Sequence, residues 1–214
     1  MVQASISKLD AARRQLDTAI DLWFRDGDGL SVFTLGFAAL KVLMSVYPSA
    51  SADGFDRAID TLVGQSGWKS MSSTANFLKH ADRDPGALLT AFHPDMSMTV
   101  IGLAVLLYGH LAPELSLKMK AFDSWVESSA ADELGIEDID TDPGRRETNR
   151  QIRNVLKQVP REQRMKFALK HYEFVLANFE RINEEFLQAK AAEKSFEEFA
   201  AEKFGQLGKP AKPS

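Results

Sequence analysis

Cysteine is absent from the 214 residues, which excludes a disulfide framework, a thiolate metal site, an iron–sulfur cluster and a cysteine nucleophile. Histidine is scarce. Of the four present (His80, His93, His110 and His171), none has a glutamate three residues before it, so the Glu-x-x-His pair of di-iron helical bundles is missing. There is no His-Glu-x-x-His, no phosphate-cradling Gly-x-x-x-x-Gly-Lys-Ser/Thr and no Gly-x-Ser-x-Gly. Asp26-Gly27-Asp28-Gly29 starts like a calcium loop, but Ser31 stands where the glycine belongs and Phe37 where the bidentate glutamate belongs. No metal and no cofactor are expected. Met-Val-Gln-Ala-Ser carries neither the basic nor the apolar stretch of a secretory signal, so a cytoplasmic protein is expected. Sustained period-two alternation of β-branched residues is lacking too, which leaves no sheet to predict.

What is present is helical periodicity in a chain that is 44% hydrophobic, enough to bury a core. Leu9, Leu16, Ile20, Trp23 and Phe24 form one apolar stripe on a helix over 6–25, broken by Asp26-Gly27-Asp28-Gly29. A second helix, about 30–46, is apolar on most sides and belongs at the centre of a bundle. A loop from Ser49 to Gly54 follows, with Asp53 placed to cap a helix bearing Phe55, Ile59 and Leu62 that Gly64 and Gly67 end. Further helices are predicted over 68–80, briefly after Pro85, over 96–109 and over 114–129. The run 96–109 is too short to cross a bilayer comfortably, so a core helix and no membrane contact are expected.

Beyond this the composition shifts. The prediction is an all-α chain with an N-terminal multi-helix bundle (1–130), an acidic linker (131–143), a charged helical C-terminal extension (144–205) and a flexible tail (206–214). The extension contains helices at 144–158, from Pro160 onward and near 194–204, with Pro160 suited to the first turn of its helix.

The formal charge of −4 hides an asymmetry. Residues 144–171 hold nine basic and two acidic residues, and 172–202 hold eight acidic and three basic. Helical spacing places Arg146, Arg150, Arg153 and Lys157 on one face, with Ile152, Val155, Leu156 and Val159 opposite. Such a stripe can meet a protein partner or line up with the phosphates of nucleic acid. Pairing with the acidic flanks, or plain solvation, accounts for it without any partner. In the long helix, Leu169, Tyr172, Leu176 and Phe179 lie on a heptad seam, while Phe167, Phe174 and Ile182 lie off it. Two apolar faces on one helix predict more than one neighbour, hence a homodimer joined at the seam.

Two other groupings bear on chemistry. Lys79-His80-Ala81-Asp82-Arg83-Asp84, with Asn76 one turn earlier, supplies a histidine, cations and carboxylates for acid–base work or a metal. The same residues also read as a helix C-terminus stopped by Pro85. Trp23, Trp68 and Trp125 could line a pocket for a small ligand, or simply pack a core.

The strings Leu9-Asp10-Ala11-Ala12-Arg13-Arg14-Gln15-Leu16-Asp17-Thr18-Ala19-Ile20-Asp21-Leu22-Trp23-Phe24 and Asn76-Phe77-Leu78-Lys79-His80-Ala81-Asp82-Arg83-Asp84-Pro85 resemble a group of uncharacterised bacterial helical proteins over roughly 8–128. More distantly, an Ala-rich helix pair followed by a Lys-His element is similar to the HEPN superfamily. That resemblance implies dimeric ribonucleases of toxin–antitoxin and phage-defence systems, which act through an Arg and a His a few positions apart. Arg164 and His171 match by spacing, with Met165 where a polar residue is usual, and both lie outside the resembling region. His80, His171 and Arg164 are therefore the catalytic candidates. The leading expectation is a non-catalytic, dimeric interaction module. A HEPN-like ribonuclease or RNA-binding protein and a small-ligand sensor are the alternatives.

Overall fold

The computed structural model describes residues 5–80, 82–90, 92–129 and 143–191, and among them there are seven helices and no strand. α1 (Lys8–Phe24) opens at Ser7, whose hydroxyl accepts from the Asp10 N–H at 3.0 Å. It ends in a turn in which Asp26 takes a left-handed φ of 52°. Asp28 then caps α2 (Gly29–Ala50) by accepting from the Ser31 N–H at 2.8 Å. α2 runs past the predicted end because Pro48 sits in its last turn, where the missing N–H leaves one carbonyl without its helical partner. It is long and apolar enough to cross a membrane by length and composition, and here it is the bundle's core helix, packed between α1 and α4 (Asp95–Leu111). Gly36 permits the close approach to α4: a Cβ there would lie 3.1 Å from Val100 Cγ2.

α3 (Phe55–Lys79) is two helical stretches joined at Gly64, whose φ of 63° and ψ of 171° only glycine adopts easily. The predicted break at Gly64 is therefore a kink within one element. Gly54, not Asp53, occupies the cap position, while the Asp53 carboxylate accepts from the Phe55 N–H at 2.9 Å. Among the described residues 85–90 the short helix expected after Pro85 does not form. Residues 84–87 instead close a turn through the Ala87 N–H and the Asp84 carbonyl at 2.9 Å.

Ser116 caps α5 (Leu117–Ser129), accepting from the Met119 N–H at 3.2 Å. α6 (Pro143–Lys157) and α7 (Arg161–Ala191) both pack on α5, and α7 also touches α1. Pro160 lies one residue before α7, its carbonyl accepting from the Gln163 and Arg164 N–H groups. The acidic linker, the helix expected near 194–204 and the tail lie outside the described residues.

The charged C-terminal segment shares the bundle's core. Ala168 and Tyr172 are fully buried, and the Tyr172 ring stacks on Phe24 with centroids 4.5 Å apart. The Tyr172 hydroxyl donates to the Asp21 carboxylate at 2.8 Å, which also receives Lys118 Nζ at 3.4 Å and Arg25 Nε at 3.3 Å. One carboxylate thus ties α1 to α5 and α7. Partial burial opposes its ionisation, but the Tyr172 hydrogen bond and the charges of Lys118 and Arg25 outweigh that and hold it below the usual carboxylate range. Burial and the facing Asp21 push the Tyr172 hydroxyl far up, so it stays a donor.

Tyr172→Phe keeps the ring and removes the donor, an expected loss of about 1–2 kcal/mol, whereas Tyr172→Ala costs about 3–5 kcal/mol. Because the folded Asp21 pKa lies below the unfolded one, its stabilisation is complete above about pH 4 and is lost as pH falls through the folded value. Urea unfolding near neutrality and near pH 3 checks this. Wild type should lose more stability over that interval than Tyr172→Phe, and equal losses would dissociate Asp21 from Tyr172.

Candidate functional site

An apolar groove of about 420 Å³ runs between α3 and α4. Leu62, Val63 and Met71 form the α3 wall on either side of the Gly64 kink, and Met96, Leu103 and Leu106 form the α4 wall. Gly67 and Gly102 stand on the two sides without side chains, which leaves the groove wide. Ser70 and Thr99 are its polar members. Leu62 is 60% exposed, an uncovered aliphatic side chain at the edge of an apolar channel. Methionines and glycines give such a surface room to adapt.

The basic stripe is divided by the structure. Arg146 and Arg150 are exposed, Arg150 paired with Glu147, and Lys157 is exposed at the end of α6. Arg153, by contrast, is only 4% exposed and donates to the Glu127 carbonyl at 2.9 Å. The inward face of α6 is Asn149, Arg153 and Leu156, while Ile152 and Val155, placed opposite the stripe by their spacing, face out. The physical reason lies at the end of α5. The last carbonyls of a helix have no intrahelical donor, and a guanidinium satisfies one where an isoleucine cannot.

The seam is likewise used within the chain. Tyr172 is buried against Phe24, Leu169 and Leu176 pack at the margin of the core, and Phe179 lies with Lys120 Nζ 4.7 Å from its ring centroid. Of these four, Tyr172 is fully covered, while Leu169, Leu176 and Phe179 stay half-buried where α7 joins the bundle. Phe167 keeps 48% exposure off the seam.

The catalytic candidates do not converge. His171 Nε2 lies 3.0 Å from Ser124 Oγ and 3.2 Å from the Ala121 carbonyl. A carbonyl only accepts, so Nε2 carries a hydrogen. Burial pushes its pKa down, against the pull of the Ala121 hydrogen bond. Arg164, two turns earlier on the same helix, instead lines a cavity with Trp23 and Trp125. His80 ends α3 through its backbone N–H, which donates to the Asn76 carbonyl at 3.0 Å. Its side chain lines a separate polar cavity of about 580 Å³ with Ser72, Asn76, Arg83 and Asp84. Among the described residues no group of three or more histidines and carboxylates is placed to hold a metal.

The structure also assembles a trio that sequence reasoning missed. The Tyr47 hydroxyl donates to Asp53 at 3.0 Å, and His110 Nδ1 lies 3.7 Å from the same carboxylate while its ring stacks on Phe55 at 3.8 Å. Three elements supply it, and the only local signal was Asp53 as a cap. Of the three tryptophans, Trp23 and Trp125 share one cavity, whereas Trp68 sits on α3 with Lys41 Nζ 5.4 Å from its ring centroid. The chain matches no family model, no curated protein and no solved structure.

His171 should titrate below the ordinary histidine value of about 6.5, read from its ring proton resonances across pH. The unfolded chain then takes up the proton first, so stability should fall as pH drops from about 6.5 toward the folded value, and His171→Gln should remove that slope. Titration of His171 at or above about 6.5 would contradict its placement.

Proposed function

We propose that this chain is a non-catalytic interaction module that receives an amphipathic helix of a protein partner in the groove between α3 and α4. The groove itself is the observation that carries the reading: apolar walls, a glycine on each helix and an uncovered Leu62. An amphipathic helix presents apolar side chains at i, i+3, i+4 and i+7 and gains by burying them in such a channel. The separation of Arg164, His171 and His80 into three different surroundings supports a binding role over a catalytic one. A second copy of this chain is one partner that satisfies the requirement.

Leu62→Glu tests this directly, because Leu62 contributes little to the folded core. Burying one leucine at an interface is worth about 1.5–3 kcal/mol, so the variant should weaken association by about tenfold or more. Light scattering after size exclusion reads self-association, and cross-linking read by mass spectrometry locates contacts made with other proteins. Thermal unfolding should be unchanged. Val155→Glu, exposed on α6, serves as the control and should leave association intact. Association equal in Leu62→Glu and wild type, or cross-links that avoid α3 and α4, would sink the proposal.

A further inference from the structure

We infer that the cavity where α1, α4, α5, α6 and α7 meet binds a small aromatic acid, a body of one or two rings carrying a carboxylate or phosphate. This site is separate from the α3–α4 groove and does not depend on it. Trp23 and Trp125 supply aromatic walls, Met98 adds thioether surface, and Lys157, Arg161 and Arg164 bring three cations from the α6–α7 corner. The cavity measures about 220 Å³, below the range of sites for drug-sized ligands, which limits the occupant to one or two rings.

The charges in this cavity are not equivalent. Arg161 already donates to Asp26 at 2.8 Å, and the one lining carboxylate, Asp95, faces His93 Nδ1 at 3.3 Å. Arg164 is half-buried and makes no ion pair or side-chain hydrogen bond among the described residues. A guanidinium held between apolar walls is matched by a planar oxyanion, which it binds through two parallel hydrogen bonds. The walls are preorganised: the Trp23 ring meets Phe24 edge-on at 5.0 Å and Phe122 at 5.5 Å, and Trp125 is buried at the other side. Stacking surface already fixed in place costs no ordering when a ring arrives. A neutral ring would satisfy the tryptophans and leave Arg164 unmatched. A bare anion would do the reverse. Only a ligand with both parts uses the whole cavity.

The three tryptophans provide the readout, since Trp68 lies outside the cavity and acts as an internal reference. The full chain is titrated with benzoate, indole-3-acetate and phenyl phosphate, with indole and inorganic phosphate as half-ligands, and the indole N–H resonances are followed by NMR. The expected result is saturable movement of the Trp23 and Trp125 signals with Trp68 still, and affinity for an aromatic acid about tenfold or more above either half-ligand. Stronger binding of the carboxylates or of phenyl phosphate identifies the head group. Arg164→Gln should weaken binding by about tenfold or more, and exposed Arg146→Gln should not. Met165→Trp, which fills the cavity while keeping all three cations, should abolish binding. The inference is overturned by unmoved Trp23 and Trp125 signals at millimolar probe, by indole binding as tightly as indole-3-acetate, or by undiminished binding in Met165→Trp.

Discussion

The seating of α7 depends on one aromatic side chain buried in the N-terminal bundle. Tyr172 fills the space beside Phe24 with its ring and reaches the Asp21 carboxylate with its hydroxyl. The ring supplies burial, which is strong and non-directional, and the hydroxyl supplies direction. Together they fix the register of α7 along α1. With that register set, Ala168 is buried four residues before Tyr172, and His171 is brought against Ser124 and Trp125. The position of Arg164 at the Trp23–Trp125 cavity follows from the same anchoring, one helical stretch earlier.

α4 organises the opposite side. Val100, Ile101, Ala104 and Leu107 are buried in the bundle, with Val100 and Ile101 closest to Gly36 of α2. Met96, Thr99, Leu103 and Leu106 turn toward α3 and floor the groove. A helix that is apolar on nearly every side has to find neighbours all round, and α3 covers only part of the side given to it. The open groove is what remains when a kinked helix lies beside a straight one.

Much of this was legible from residue spacing. The stripe Leu16, Ile20 and Phe24 is buried as its period requires, α2 is the central helix its composition demands, and Gly64 interrupts α3 where it stands. Errors arose wherever a second element decided the outcome. Arg153 turned inward because a carbonyl at the end of α5 needed a donor, a requirement invisible within α6's own sequence. Periodicity singled out Tyr172 as a packing residue but could not say that its partner was Phe24 of the same chain. The three tryptophans are alike in the sequence, and only the fold separates Trp68 from the other two. The groove gave no sequence signal at all, since Leu62, Met71 and Leu106 look like ordinary core residues until α3 fails to close over α4.

Asp21 and Tyr172 stand 151 positions apart, and that separation has a temporal meaning. A ribosome adding about 5–20 residues per second needs roughly 8–30 s to travel from one to the other. Throughout that interval the helix bearing Phe24 is already made while the ring that will cover it has yet to be synthesised. A nascent chain interrupted before Tyr172 therefore carries an uncovered aromatic surface, the feature that chaperones and proteases use to tell an unfinished protein from a finished one.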